Sequence, residues 1–157
     1  MSDEIEAETN EIEFREKPRK EWFWANNIVF DEYAALIGPA AFAVYMALAR
    51  HADKRGVCFP SYDRIAQYLY MGRSTVIRSI KKLEVVGLIR KFPRRQALSR
   101  GAVRQTSNAY VLLKVYRVSP LDVGAWLDQI HAIDHPPKKR TVPAAEMPPK
   151  RRTKGKG

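Results

Sequence analysis

Residues 73–86, RSTVIRSIKKLEVV, combine cationic and hydroxyl side chains with a helical repeat of apolar ones. With Val76, Ile80 and Leu83 on the inward face of a helix, the cationic and hydroxyl groups occupy the opposite face. Arginine can donate two hydrogen bonds to a guanine edge, and hydroxyl or apolar groups can contact other base edges. The pattern therefore predicts base contacts, although an ordinary solvated face has a similar composition. The candidate contact residues are Arg73, Ser74, Thr75, Ile77, Arg78, Lys81 and Lys82.

The positive charge of the chain is segregated along the sequence. The 157 residues carry a net charge of +11, but residues 60–117 carry +11 and residues 136–157 carry +7, whereas residues 1–21 carry −4. A surface that only keeps a protein soluble mixes both signs. The segregation therefore favours a polyanionic partner, with nucleic acid as the first candidate.

Two further groups of polar side chains flank this helix. Ser61 and Tyr62 begin a short predicted helix, where they can contact a backbone phosphate, although simple helix capping explains them equally well. Two β-rich runs, 88–92 and 108–116, enclose a basic loop that predicts a hairpin. Arginines in such a loop can bind phosphate, enter a narrow minor groove or only keep the loop soluble. The loop arginines are Arg94, Arg95, Arg100 and Arg104.

Local sequence signals predict the elements that position these residues. The run WFWANNIVF at 22–30 predicts a strand, because it is rich in aromatic and β-branched residues. Asp31 is expected to cap a short helix that stops at Gly38, and Pro39 suits the first turn of the next helix. Further helices are predicted at 39–53, 61–69 and 73–86.

A helix-turn-helix needs a small residue where its two helices cross and a β-branched residue ten positions later, and Ala66 and Val76 have this spacing. The segment CFPSYDRIAQYLYMGRSTVIRSIKKLEVVGLIRK, followed by TSNAYVLL, resembles the winged helix-turn-helix family found in plasmid and phage replication initiators and phage-type transcriptional regulators. The resemblance covers residues 28–116. It implies an α+β fold with an N-terminal strand, three to four helices and a two-stranded wing, and it places the 73–86 helix in the major groove of DNA.

The turn between the two helices departs from the family pattern. The family usually has Gly at the tight turn and Ser at the cap of the recognition helix, where this chain has Tyr70 and Gly72. A bulky residue with positive φ costs roughly 1 kcal/mol or more. The sequence therefore leaves two geometries possible for this turn. Either Tyr70 is strained, or the turn is rearranged so that Gly72 is left-handed and Ser74 caps the helix.

Catalysis, metal binding and membrane insertion find little support in the sequence. Cys58 is the single cysteine and the three histidines stand apart, so we expect no disulfide, metal or Cys-His pair. No carboxylate pair, phosphate-binding Gly loop or nucleophile-base pair has a usable spacing, so we expect neither an enzyme nor a cofactor. We expect no membrane span and no secretory signal, and therefore a cytoplasmic location.

The remaining regions predict two tails and one further helix. Residues 1–21 are expected to form a disordered acidic arm beside a DNA-binding domain at 22–117. Residues 118–135 predict an amphipathic helix whose apolar face either mediates homodimerisation or packs back on its own domain. Residues 136–157 predict a disordered Pro-rich tail that binds phosphates without reading sequence, or that is merely solvated. The dimerisation candidates are Trp126, Leu127 and Ile130, and the tail candidates are Lys138, Lys139, Arg140, Lys150, Arg151 and Arg152.

Together, the resemblance and the charge pattern predict sequence-specific binding of double-stranded DNA. We expect a transcriptional regulator of a bacterium, phage or mobile element, with RNA polymerase as a further partner. Two alternatives stay open. One is a replication initiator that binds origin repeats and recruits replication proteins; the other is a winged helix used for protein contacts, with non-specific DNA binding.

Deletion of residues 136–157 tests the role of the tail. We expect affinity to fall equally for all DNA sequences, and the slope of log affinity against log salt to become shallower by about 0.9 for each phosphate that the tail neutralises. Fluorescence anisotropy with labelled duplexes at several salt concentrations measures both quantities. An unchanged slope would show that the tail does not bind DNA.

Overall fold

A helix interrupted by a glycine forms the centre of the fold. The computed structural model describes residues 23–138. A π-helical turn, Val29–Tyr33, leads directly into helix α1, Ala34–His51. Gly38 has φ 82° and ψ 168°, which no helix allows, and Pro39 restarts the helix because its ring holds φ near the helical value. The predicted junction of two helices at Gly38 is confirmed.

The predicted N-terminal strand is wrong for the part of it that the structure describes. Residues 23–26 form no regular structure, and helical conformation begins immediately after them. The Asn26 side-chain oxygen accepts the N–H of Ile28 at 2.9 Å, so the chain turns into a helix at Asn26 and not at Asp31. Buried residues then recur every four positions, as a helix requires: Val29, Tyr33 and Ile37.

Three antiparallel strands cover one side of the core. They are β1 (Val57–Cys58), β2 (Ile89–Phe92) and β5 (Ala109–Leu112), in the order β1-β5-β2. In the central strand, Tyr110 lies between Cys58 and Lys91 and is completely buried. The last strand ends at Leu112 and not at 116, although the N–H of Leu113 still donates to the carbonyl oxygen of Leu88 at 2.9 Å.

The loop predicted between the two β-rich runs contains a hairpin of its own. Strand β3, Arg95–Ala97, pairs antiparallel with β4, Val103–Gln105, and a 3-10 turn at Ser99–Gly101 joins them. At the tip, Arg100 and Gly101 both have positive φ, which closes the connection tightly. The wing is therefore a two-stranded ribbon that continues past the three-stranded sheet.

Helices α2 (Tyr62–Leu69) and α3 (Arg73–Val85) follow the predicted positions closely. Ser61 caps α2, since its Oγ accepts the N–H of Arg64 at 3.2 Å, as the sequence predicted. The α3 helix ends at Gly87, whose φ of 73° lets the N–H of Leu88 reach the carbonyl oxygen of Leu83 at 3.0 Å. The predicted inward residues of α3 are all completely buried: Val76, Ile80 and Leu83.

The turn between α2 and α3 takes the first of the two geometries that the sequence left open. Tyr70 adopts the left-handed conformation, with φ 50° and ψ 45°, and the N–H of Met71 donates to the carbonyl oxygen of Ala66 at 3.1 Å. Gly72 is extended and forms the N-cap of α3, so the helix begins at Arg73 and Ser74 does not cap it. Tyr70 thus occupies the position that glycine normally takes at a helix end.

The last helix, α4 (Pro120–Asp134), packs against α3. Its N-cap is Ser119, whose Oγ accepts the N–H of Leu121 at 3.3 Å. The chain leading into it is held by Glu32, which accepts the N–H of Val118 and pairs with Arg117, both at 2.7 Å. Ile130 is 7% exposed and belongs to the same core as α1 and α3.

These elements form the predicted α+β fold, a winged helix-turn-helix with an additional C-terminal helix. The third strand of its sheet is β1, from the segment between α1 and α2, and not the run at 22–30. The acidic arm and most of the basic tail lie outside the described residues.

The stretch that includes helix α1 bears on the expectation that the chain has no membrane span. The stretch Val29–His51 has the length and a mean hydropathy, 1.4, that such a span requires. The same values are found in the central helices of water-soluble domains. Here the stretch is broken at Gly38, and its buried residues contribute to the core of the domain, including Val44 and Leu48.

The thiol of Cys58 is buried in the three-stranded sheet. It is 2% exposed at the pairing of β1 with β5. Burial raises the pKa of the Cys58 thiol to about 11, so the group stays protonated at neutral pH.

Truncation of two residues on α4 tests whether this helix is an integral part of the domain. We expect Ile130→Ala to lower the free energy of unfolding by about 2–4 kcal/mol, because it leaves a cavity in the core. Leu127→Ala, on the exposed side of the same helix, should change it by less than about 0.5 kcal/mol. Urea denaturation followed by circular dichroism measures both. Equal, small effects would show that α4 does not contribute to the core.

Candidate nucleic-acid interface

The exposed face of α3 carries three of the predicted contact residues side by side. Ser74, Arg78 and Lys81 are spaced three and four residues apart, so their side chains project from one side of the helix. The buried residues on the opposite side fix the rotation of α3 about its axis. Hydroxyl, guanidinium and ammonium groups therefore line one solvent-facing surface, hereafter the α3 face (Ser74, Arg78 and Lys81).

Two predicted contact residues lie at the edge of the α3 face. Thr75 and Ile77 are half-buried, so each can present only part of its side chain to a ligand. The Arg78 guanidinium donates to the Thr75 hydroxyl at 3.4 Å, which turns it toward the beginning of the helix. Recognition helices commonly insert this end into the major groove.

Arg73 links α3 to α2 across the turn. Its Nε lies 3.1 Å from Oδ1 of Asp63, and its guanidinium carbon lies 5.4 Å from the centre of the Tyr62 ring. Both charged groups are largely exposed, so the ion pair contributes little to stability. It does orient the guanidinium toward α2, and a phosphate contact by Arg73 would have to be made from that position.

Lys82 points away from the α3 face. Its ammonium lies 2.8 Å from Oδ1 of Asp134 at the end of α4, and the side chain is only 15% exposed. One residue earlier, Lys81 is exposed and no carboxylate of residues 23–138 lies within ion-pairing distance of it. Of the two adjacent lysines, Lys81 is therefore the one that can bind a phosphate without losing an existing ion pair.

A polar cleft lies between the beginning of α2 and the end of the wing. It has a volume of about 380 Å³ and is lined by the predicted pair Ser61 and Tyr62 together with the ion pair of Arg73 and Asp63. Sequence reasoning treated the segment TSN as part of a family pattern only and did not assign it to the site. The structure adds four polar side chains from this region, Gln105, Thr106, Ser107 and Asn108.

The four wing arginines occupy three different positions. Arg94 lies at the base, where its guanidinium carbon is 4.5 Å from the centre of the Phe59 ring, a distance typical of a cation–π contact. Arg100 lies at the tip. Arg95 pairs with Gln105, and Arg104 pairs with Gln96. Because side chains alternate along a strand and paired residues share a face, Arg95 and Arg104 project from opposite faces of the ribbon.

The other predicted site residues are not brought to the α3 face. Trp126 packs against the core, with its ring centre 6.0 Å from that of Tyr33, and Ile130 is buried, so both already have partners within the chain. Leu127 is 46% exposed. Among the tail candidates only Lys138 is described, and it is exposed; the other five lie outside the described residues.

Metal-ligating side chains are not clustered in the part of the chain that the structure describes. Within residues 23–138, no group of three or more His, Cys, Asp or Glu is arranged to hold an ion. His131 and His135 lie near each other, with ring centres 4.5 Å apart, on the exposed side of α4.

Comparison with known proteins finds a family match over the helix-turn-helix segment. Residues 35–89, from the beginning of α1 to the beginning of β2, match a family described as helix-turn-helix domain. A solved structure named "Possible transcriptional regulator from Methanosarcina mazei Go1" is similar with a TM-score of 0.38 and 20% sequence identity, over 66% of this chain and 76% of that chain. No curated protein matches the chain.

The matched segment contains both helices of the helix-turn-helix and the central helix that supports them. It therefore includes the α3 face and the turn at Tyr70, but neither the ribbon of β3 and β4 nor α4. The resemblance to replication initiators stays a prediction.

The adjacent residues Lys81 and Lys82 provide a matched pair of variants. We expect Lys81→Ala to weaken DNA binding and to make the salt slope shallower by about 0.9, because one phosphate is no longer neutralised. Lys82→Ala should leave that slope unchanged and instead lower the thermal unfolding midpoint, because it leaves Asp134 without its partner. Anisotropy titrations and thermal denaturation separate the two effects. A larger loss of affinity for Lys82→Ala would place Lys82 at the DNA and contradict our assignment.

Proposed function

We propose that this protein binds double-stranded DNA sequence-specifically through the α3 face and regulates transcription by occupying its site. The observation that carries the proposal is the rotation of α3: buried Val76, Ile80 and Leu83 leave the hydroxyl, guanidinium and ammonium groups of Ser74, Arg78 and Lys81 exposed together. A helix of this width fits the major groove, where such groups can read base edges.

Phosphate contacts on either side would hold α3 in register. The polar cleft at Ser61 and Tyr62 offers hydroxyl and backbone N–H groups at the beginning of α2, where the helix dipole favours an anion. The arginines of the wing provide charge on the ribbon. Groups of this kind fix the orientation of a protein on the duplex and do not themselves read sequence.

The position of Lys138 supports a DNA contact by the basic tail. The ion pair between Asp134 and Lys82 holds the end of α4 against α3, and Lys138 follows only four residues later. Lys138, the last described residue, is therefore only a few positions from a contact with the recognition helix. A segment that carries excess positive charge and starts there can reach phosphates next to the proposed site.

The composition of α3 favours DNA over a protein as its partner. Among the described residues, the large apolar side chains that are exposed all lie outside α3. A protein-binding helix would present such side chains at the centre of its interface. A replication initiator would use the same face to bind origin repeats, so it differs from a regulator in the sequence bound and in the partners recruited, not in this geometry.

Within this proposal the protein acts in the cytoplasm of a bacterium, or of the host of a phage or mobile element, by binding and not by catalysis. Two copies could bind paired half-sites. Because Trp126 and Ile130 pack within the chain, a dimer formed through α4 would have to use the apolar side chains that this helix leaves exposed, Leu121 and Leu127.

Substitution of Arg78 tests direct readout. A preferred site is first selected from random duplexes with the full chain. We expect Arg78→Ala to weaken binding to that site by about 1–3 kcal/mol and to relax the preference at one base position. Binding to random duplex should change much less.

Arg90→Ala is the matched control, since Arg90 is exposed on β2 and lies outside the α3 face. We expect it to affect the selected and random duplexes equally. If Arg78→Ala also weakens both duplexes equally, Arg78 contacts phosphate only, and the proposed base readout is wrong.

A further inference from the structure

An apolar groove lies between α1 and α2, away from the α3 face. Its volume is about 600 Å³, and its floor is formed by side chains of both helices, including Phe42, Met46 and Leu69. The first described residue, Phe23, lies at one end of it and is 36% exposed. The DNA-binding proposal does not use this groove.

The rim of the groove is cationic. Arg50 lines it, and the guanidinium carbon of Arg64 lies 6.0 Å from the ring centre of Tyr68, another lining residue. The His51 ring also contacts Tyr68, with 5.1 Å between ring centres. An apolar floor with a positive rim fits a peptide that combines large apolar side chains with acidic ones.

A segment of this composition exists in the same chain. Residues 3–14, DEIEAETNEIEF, contain six acidic residues and no basic one, together with the apolar residues Ile5, Ile12 and Phe14. The chain between Phe14 and Phe23 can span at most about 30 Å, so Phe14 can reach any part of a groove in which Phe23 already lies. The basic tail, in contrast, would be repelled by Arg50 and Arg64.

We propose that the acidic segment at residues 3–14 docks in the groove between α1 and α2, with its apolar side chains on the floor and its carboxylates at the cationic rim. Because the segment belongs to the same chain, its effective concentration at the groove is in the millimolar range, so even a weak contact is occupied. Docking there holds the acidic residues at a groove that neither Ser61, Tyr62 nor any residue of α3 lines. It thereby keeps them from competing with DNA for the basic surface.

Photo-crosslinking of the full chain tests this proposal. With p-benzoylphenylalanine in place of Phe14, irradiation should give an intramolecular product at groove residues, with Met46 as the main site, mapped by mass spectrometry. We expect Ala43→Glu to reduce this product about tenfold, because it places a carboxylate on the apolar floor. Ala35→Glu is the matched control: Ala35 is exposed on the same helix and does not line the groove, so the product should persist.

A second variant keeps the test valid if Ala43→Glu disturbs folding. Arg50 is exposed, and Arg50→Glu reverses the charge of the rim without entering the core. We expect it to reduce the product several-fold, whereas Lys54→Glu, the same charge change outside the groove, should not. Crosslinks to α3 or to the basic tail, or crosslinks that join two chains, would overturn the proposal. So would a yield that neither groove variant lowers.

Discussion

The crossing of α2 over α3 determines where the α3 face lies relative to Ser61 and Tyr62 at the beginning of α2. Ile65 and Val76 are buried where the two helices meet, with Ile80 and Leu83 beneath them. Burial of each such side chain stabilises the fold by about 1.5–3 kcal/mol. The left-handed conformation of Tyr70, which allows the crossing, costs only about 1–2 kcal/mol. Packing therefore outweighs the strain, and a residue other than glycine is tolerated in the turn.

The ion pairs of the domain decide which cations are available to a polyanion. Carboxylates of the domain already hold Arg73, Lys82 and Arg117, whereas no carboxylate of residues 23–138 pairs with Arg78 or Lys81. The most exposed of these pairs, Arg73 with Asp63, contributes less than about 1 kcal/mol to stability. The larger effect of these pairs is on the orientation of the cationic side chains. Those that are paired point toward neighbouring elements, whereas the unpaired ones on α3 face solvent. Net charge alone does not reveal this division.

The sequence predicted the elements whose signals are local and agree with one another. The cap at Ser61, the apolar repeat of α3 and the stop at Gly87 lie within 27 residues, and each was found where it was expected. The run at 22–30 was mistaken for a strand because its composition favours β structure, whereas burial of Val29 in the core, in helical phase with Tyr33 and Ile37, favours a helix. Tertiary packing decided the conformation there, and composition could not.

The candidate site was less predictable than the fold, because its geometry depends on contacts between distant residues. The helical repeat of apolar residues in α3 correctly predicted that Ser74, Arg78 and Lys81 lie on the exposed side of the helix. It could not show that Lys82 pairs with Asp134, 52 positions later, since that contact requires α4 to fold back on α3. The ribbon within the wing was missed for a related reason: three-residue strands such as Arg95–Ala97 are too short to show a repeat.

The pleat of the wing limits how its arginines can act together. Because Arg95 and Arg104 project from opposite faces of the ribbon, a flat duplex surface could contact only one of them at a time. A groove of the duplex could contact both arginines, since its two walls carry phosphates that face an inserted ribbon from both sides. Stacking of Arg94 on Phe59 anchors the base of the ribbon to the segment that leads into α2. If both arginines contribute to affinity, the ribbon must therefore enter a groove beside the one proposed to hold α3, and the two insertions together would fix the orientation of the domain on DNA.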